Sequence, residues 1–141
     1  MTLRSRHLLI VATVLTALGT QATSARDSNS LMDISSDGRL LACSNRDSGT
    51  VTIIDLNTLK KLHETPVGVH PEGVAFLGKT HSLAVAVYND DQVTLLDADS
   101  GKVLYRVEVF DEPYGIVSNA DGSRYYVTLE YPGRVVEISR A

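Results

Sequence analysis

The sequence predicts an all-β chain built from repeated four-stranded antiparallel units. Three observations carry this: a gapless internal repeat, short strand-forming runs punctuated by turn residues, and no convincing apolar stripe of helical spacing after the N-terminal segment. Shifting the chain by 42 residues lays Val51-Thr52-Ile53-Ile54-Asp55 on Val93-Thr94-Leu95-Leu96-Asp97, Leu41 on Leu83, Ala42 on Ala84 and Lys60 on Lys102. The same shift lays Pro71 on Pro113, Gly73 on Gly115 and Val74 on Ile116. A shift of 84 lays Asp37-Gly38 on Asp121-Gly122, Cys43 on Val127, Gly49 on Gly133 and Val51 on Val135. The repeats so defined are 29–70, 71–112 and an incomplete 113–141.

Within the middle repeat, strands are expected at 73–77, 82–88, 92–97 and 103–109, where Val, Leu, Tyr and Thr suit a pleated surface. The second (SLAVAVY) is apolar on both faces and should be covered on both. The fourth alternates, with Val103, Tyr105, Val107 and Val109 on one face and Leu104, Arg106 and Glu108 on the other, the pattern of a half-exposed strand. Asp37-Gly38, Asp47-Ser48-Gly49, Asn89-Asp90-Asp91, Asp99-Ser100-Gly101, Asp121-Gly122 and Pro132-Gly133 supply the turns. Four strands in a period of about 40–45 residues is the arithmetic of a β-propeller blade. A small sandwich would not repeat its strands at fixed spacing.

The residues then resemble a known family. Tyr126-Val127-Thr128 preceded by Ala120-Asp121-Gly122, the Pro-x-Gly-[Val/Ile] openings at Pro71 and Pro113, the Val-containing third strand ending in Asp, and Val67-Gly68-Val69-His70-Pro71 are similar to the YVTN-type β-propeller repeat. The resemblance covers residues 31 to 140. It implies propeller relatives of the cytochrome d1, quinoprotein-dehydrogenase and surface-layer kinds. No haem or quinone ligand of such relatives maps onto this sequence, so no cofactor is expected.

Residues 1–25 read as an address. Arg4 and Arg6 precede a 12-residue apolar run (LLIVATVLTALG) and a small, polar stretch ending at Ala25, the three parts of a secretory signal peptide. The run is too short to cross a hydrocarbon core of about 30 Å. Periplasmic or extracellular export is therefore expected, with residues 26–141 as the mature partial propeller and no membrane span after cleavage. The whole chain has 17 acidic against 13 basic side chains; losing Arg4 and Arg6 leaves 11 basic ones and a net charge of −6. Such a balance disfavours nucleic acid, which needs a basic face. One cysteine excludes a disulfide framework, a CxxC zinc site and a CxxCH haem attachment.

Three repeats do not close a ring, which needs about four to eight blades. The third repeat lacks the equivalent of the outer strands expected at 60–69 and 102–111, so the last blade should have three strands. The chain is thus expected to be part of a longer propeller, to assemble with a second copy, or to stand as an open stack.

In a blade, the loops entering the innermost strand and those between the second and third strands share one face. That face gathers Arg46, Asp47, His70, Glu72, Tyr88, Asp90, Glu112, Tyr114, Glu130 and Tyr131 as the candidate surface for a protein or small ligand. His70 is the tempting ligand or base, but the next repeat carries Glu112 there and no companion ligands follow, which favours a turn histidine before Pro71. His63 and His81 fall on the outer strand and on the opposite loops, so no histidine cluster is expected. Asp97-Ala98-Asp99-Ser100-Gly101 lacks the closing ligands of a calcium loop and reads as a turn. Asp90-Asp91, Asp111-Glu112 and Glu130 read as solvated loop acids rather than a metal site, and Cys43 as a core thiol. With no GxSxG, HExxH, P-loop or GxGxxG, no catalytic residue is assigned. The reading that results is an exported, non-enzymatic binding module. A piece of a periplasmic redox propeller enzyme and a surface-layer-like structural repeat are the alternatives.

Overall fold

The structure, a computed structural model, describes residues 29–140; the expected signal peptide and its cleavage site lie outside the described residues. Eleven strands form three antiparallel sheets. Blade 1 is β1 (Asn29–Ile34), β2 (Leu40–Asn45), β3 (Thr50–Asp55) and β4 (Lys60–Pro66). Blade 2 is β5 (Pro71–Phe76), β6 (Ser82–Val87), β7 (Gln92–Asp97) and β8 (Lys102–Glu108). Among the described residues blade 3 has β9 (Pro113–Ser118), β10 (Arg124–Leu129) and β11 (Arg134–Ser139). Within each sheet the strands pair in chain order, and β1, β5 and β9 pack side by side on the inner edge. The only helical element among the described residues is a single 3₁₀ turn at Tyr88–Asp90. The sheets of four, four and three strands with no closed ring are those the repeat predicts.

Burial follows from stacking. The face of blade 1 bearing Leu40, Ala42, Val51 and Ile53 packs on Val74, Phe76, Leu83, Val85 and Leu96 of blade 2. The other face of blade 2, with Ala75, Ala84, Val93 and Leu95, packs on Ile116, Tyr125, Val127 and Leu129 of blade 3. All six residues of β6 are buried, as its apolar faces require. Each Val or Leu removed from water here contributes about 1.5–3 kcal/mol. Cys43 is buried and free. The two end faces remain open: Met32 and Ile34 of blade 1, and Val117 and Val135 of blade 3, are more than half exposed.

One expectation needs correction. The strict alternation expected over 103–109 is broken by a bulge, because Leu95 pairs with Tyr105 but Leu96 with Val103. Cross-strand partners share a face, so Val103 lies opposite Tyr105, Val107 and Val109, and Tyr105 is 44% exposed. The same bulge recurs in blade 1, between Ile53–His63 and Ile54–Lys61. Gly73, at the start of the strand expected over 73–77, lies within β5. A Cβ there would come within 2.5 Å of the Tyr114 carbonyl oxygen and 2.9 Å of the Ile116 nitrogen. Glycine lets the inner strands of blades 2 and 3 approach.

Candidate functional site

The turns joining second to third strands and the linkers joining one blade to the next lie together, held by backbone bonds that repeat. The Val67 and Val109 amides donate to Gly49 and Asp91 carbonyls within their own blades, while Tyr88 and Glu130 amides donate to the His70 and Glu112 carbonyls of the preceding linkers. Each linker is thereby clamped between two turns. This clamp puts His70 and Glu112, one repeat apart, in the left-handed region with φ of 54° and 59°. For residues with a Cβ that conformation costs roughly 1–2 kcal/mol, offset by the bonds their carbonyls accept.

On this framework the side chains cross the blades. Arg46 Nε donates to Glu72 Oε1 at 2.6 Å, and Arg46 Nη1 lies 3.7 Å from Asp47. Glu72 is buried although charged, which requires such partners. The bond from Glu72 raises the Arg46 guanidinium above its usual value. Tyr88 Oη donates to Glu130 Oε2 at 2.9 Å, and its ring meets that of Tyr114 edge to face with centroids 6.5 Å apart. The Glu130 bond, aided by desolvation and by the charge of Glu112, pushes the Tyr88 phenol up to about 12. Asp90 Oδ2 accepts from the Val69 amide and from Gln92, so it serves the turn. His70, Arg46 and Asp47 line a shallow hollow of about 300 Å³ with Gly68 and Val69. Tyr131 is 66% exposed on the β10–β11 turn.

Of the ten residues named from sequence, Arg46, Asp47 and Glu72 are thus joined across blades 1 and 2, and Tyr88, Tyr114 and Glu130 across blades 2 and 3. Asp90 is engaged locally. Asp97 Oδ1 accepts the amide and hydroxyl of Ser100, as in an ordinary strand-terminal turn. Among the described residues no group of three or more His, Cys, Asp or Glu is placed to hold a metal ion. The arrangement offers aromatic edges, carboxylates and one guanidinium, a set suited to recognition. It contains no nucleophile paired with a base.

Two features were not named from sequence. The inner strands, with β10 and β11, line an apolar hollow of about 500 Å³ between Met32, Val74, Ile116, Val117, Tyr126 and Val135. On the opposite loop side, His63 and His81, placed apart by sequence reasoning, both reach Asp99. The available signal was the repeat length itself: Arg39 and His81, like Tyr88 and Glu130, are 42 residues apart and therefore neighbours.

The fold and the loop geometry define an incomplete β-propeller. Among solved structures, the chain is similar to hydrazine synthase of Kuenenia stuttgartiensis, at 27% identity and a TM-score of 0.76 over 87% of this chain and 36% of that one. It is also similar to dihydro-heme d1 dehydrogenase NirN in complex with DHE, at 20% identity and a TM-score of 0.66 over 84% of this chain and 30% of that one. The chain spans about a third of the length of these structures. No protein-family model and no curated protein matches it.

Proposed function

We propose that this chain is an exported β-propeller module of the YVTN-type repeat that binds a protein or small ligand on its loop face without catalysing a reaction. The observation that carries the reading is the cross-blade pairing of Tyr88 with Tyr114 and Glu130 beside the Arg46–Glu72 pair, which makes one continuous polar and aromatic surface from the loops of three blades. Aromatic rings with adjacent charged groups give large contact area and orientation together. The acidic balance supports a partner other than nucleic acid or an anionic membrane.

A second reading is favoured by one observation, the likeness at 27% identity to part of a structure named hydrazine synthase. On that reading the chain is a segment of a periplasmic redox propeller whose cofactor ligands lie in other blades.

The test is the absolute mass of the exported protein by light scattering, with an absorption spectrum on the same peak, followed by thermal-shift screening of a panel of small amines, sugars and peptides. The binding reading expects a colourless protein and panel members that raise the melting midpoint of the natural chain but not of Tyr114→Ala. A visible chromophore in the purified peak overturns it in favour of the redox reading, and a full panel with no shift removes the small-ligand form.

A further inference from the structure

On the side away from the candidate site, the seam between blades 1 and 2 carries a compact charged cluster. His81 sits in the β5–β6 loop, and both of its ring nitrogens face carboxylates. Nδ1 is 2.7 Å from Asp99 Oδ2 in blade 2, and Nε2 is 3.1 Å from Asp37 Oδ2 in blade 1. A neutral imidazole can donate from only one nitrogen; the imidazolium donates from both. Arg39 of blade 1 bonds Asp99 through Nη2, and this nitrogen lies 3.3 Å from His81 Nδ1. With His81 protonated the cluster holds two cations and two anions. With His81 neutral, one of the two carboxylates loses its imidazole donor, Asp37 across the seam or Asp99 within blade 2.

The surroundings reinforce that position. Asp37 is fixed by Ser35 Oγ at 2.6 Å and by the Arg39 amide. His63 of β4 reaches over to the Asp99 carbonyl oxygen at 2.8 Å, and Thr65 Oγ1 donates to the Gly101 carbonyl at 2.9 Å. Asp97, next to the turn, adds negative charge that acts on His81, and Asp55 does the same for Arg39. Among the described residues the seam between blades 2 and 3 has no such histidine between carboxylates: Lys79 and Ser123 occupy the positions matching Asp37 and His81, and Arg140 bonds Thr80 and Ser82 there.

We infer that the seam between blades 1 and 2 is a proton-operated latch, closed by the His81 imidazolium bridging Asp37 and Asp99 and loosened when His81 loses its proton. The electrostatics agree in sign. The bonds to Asp99 and Asp37 raise His81 above its ordinary 6.5 against the opposing effect of burial. Stability from a raised histidine is fully present below pH 6.5 and is lost as the pH rises through the folded value. Asp37, bonded first to Ser35 and then to the Arg39 amide, falls from 3.8 to about 2, so its contribution is present above pH 3.8 and disappears as the pH falls towards 2. The latch is therefore strongest between about pH 4 and 6.5. For an exported protein that window lies within the range of pH met outside the cell.

The test compares thermal melts of the natural chain and of His81→Gln at pH 5.5 and pH 8, with the His81 ring titrated by NMR in the natural chain. The expected result is a melting midpoint roughly 3–6 °C higher at pH 5.5 in the natural chain, a difference mostly absent from His81→Gln, and a ring titrating above 6.5. His63 and His70 remain in that variant, so what it loses belongs to His81. An equal pH dependence in both proteins overturns the inference. So does a ring titrating at or below 6.5, and that measurement decides alone if His81→Gln does not fold.

Discussion

Between blades 1 and 2 polar side chains reach across beside the apolar core: Asp33 accepts the Phe76 amide at 2.8 Å, Ser44 donates to the Glu72 carbonyl at 2.6 Å, Arg46 pairs with Glu72, and His81 bridges Asp37 and Asp99. Between blades 2 and 3 Tyr88 bonds Glu130 and Arg140 bonds Thr80 and Ser82, but there the backbones themselves also approach. A Cβ on Gly73 would meet the Tyr114 carbonyl, and Gly78 and Gly122 lie back to back, each with no room for a side chain against the other's turn. The slot filled by Leu83 at the first seam is filled at the second by Tyr125, wholly buried, with no partner for its hydroxyl among the described residues. One repeat therefore docks in two ways. The first seam adds a histidine between carboxylates to its apolar core and so responds to pH, whereas the second adds close backbone approach to its own and responds to shape.

The sharpest way to break the comparison is Gly73→Val. Because the obstacle is backbone, relief requires blade 3 to move, and a loss of at least about 4 kcal/mol is expected, enough to abolish soluble folding of a marginally stable domain. Expression yield and a denaturant melt check it; an unchanged melt would contradict the close approach. Tyr125→Phe sharpens the contrast from the other side. Removing a buried hydroxyl with no partner should stabilise the protein by about 1 kcal/mol, seen as a higher urea midpoint with the same slope. The phenol, pushed up to about 12 by desolvation, should also be absent from any titration below pH 10. The smallest effect belongs to the loop face. His70→Ala keeps a left-handed residue and the carbonyl that accepts the Tyr88 amide, so stability should stay within about 0.5 kcal/mol.

Much of the fold was legible because the pleat has period two and the blade has a fixed length. Asp37-Gly38 and Asp121-Gly122, one matching turn in two blades, located the first hairpins, and the doubly apolar run from Ser82 to Val87 announced a strand covered on both sides. The bulge beside Leu96 was hidden, because an extra residue changes which face Val103 takes without changing composition. The close approach at Gly73 was hidden too, since it depends on a neighbour 41 to 43 residues away. The ten loop-face residues came from topology, and their pairing needed the further step of comparing positions one repeat apart. Tyr88 with Glu130 follows from that rule; Tyr88 with Tyr114 does not, because it depends on how far the rings extend.

The central claim is a middle blade covered on both faces and joined to its neighbours by unlike seams. Amide hydrogen exchange, corrected for intrinsic rates and followed at pH 5.5 and pH 8, tests it most directly. The expected result is slowest exchange in β6 and β7, with protection at the blade 1–2 seam falling at pH 8 while that at the blade 2–3 seam holds. Uniform protection across the three blades, or an equal response of both seams to pH, would contradict it.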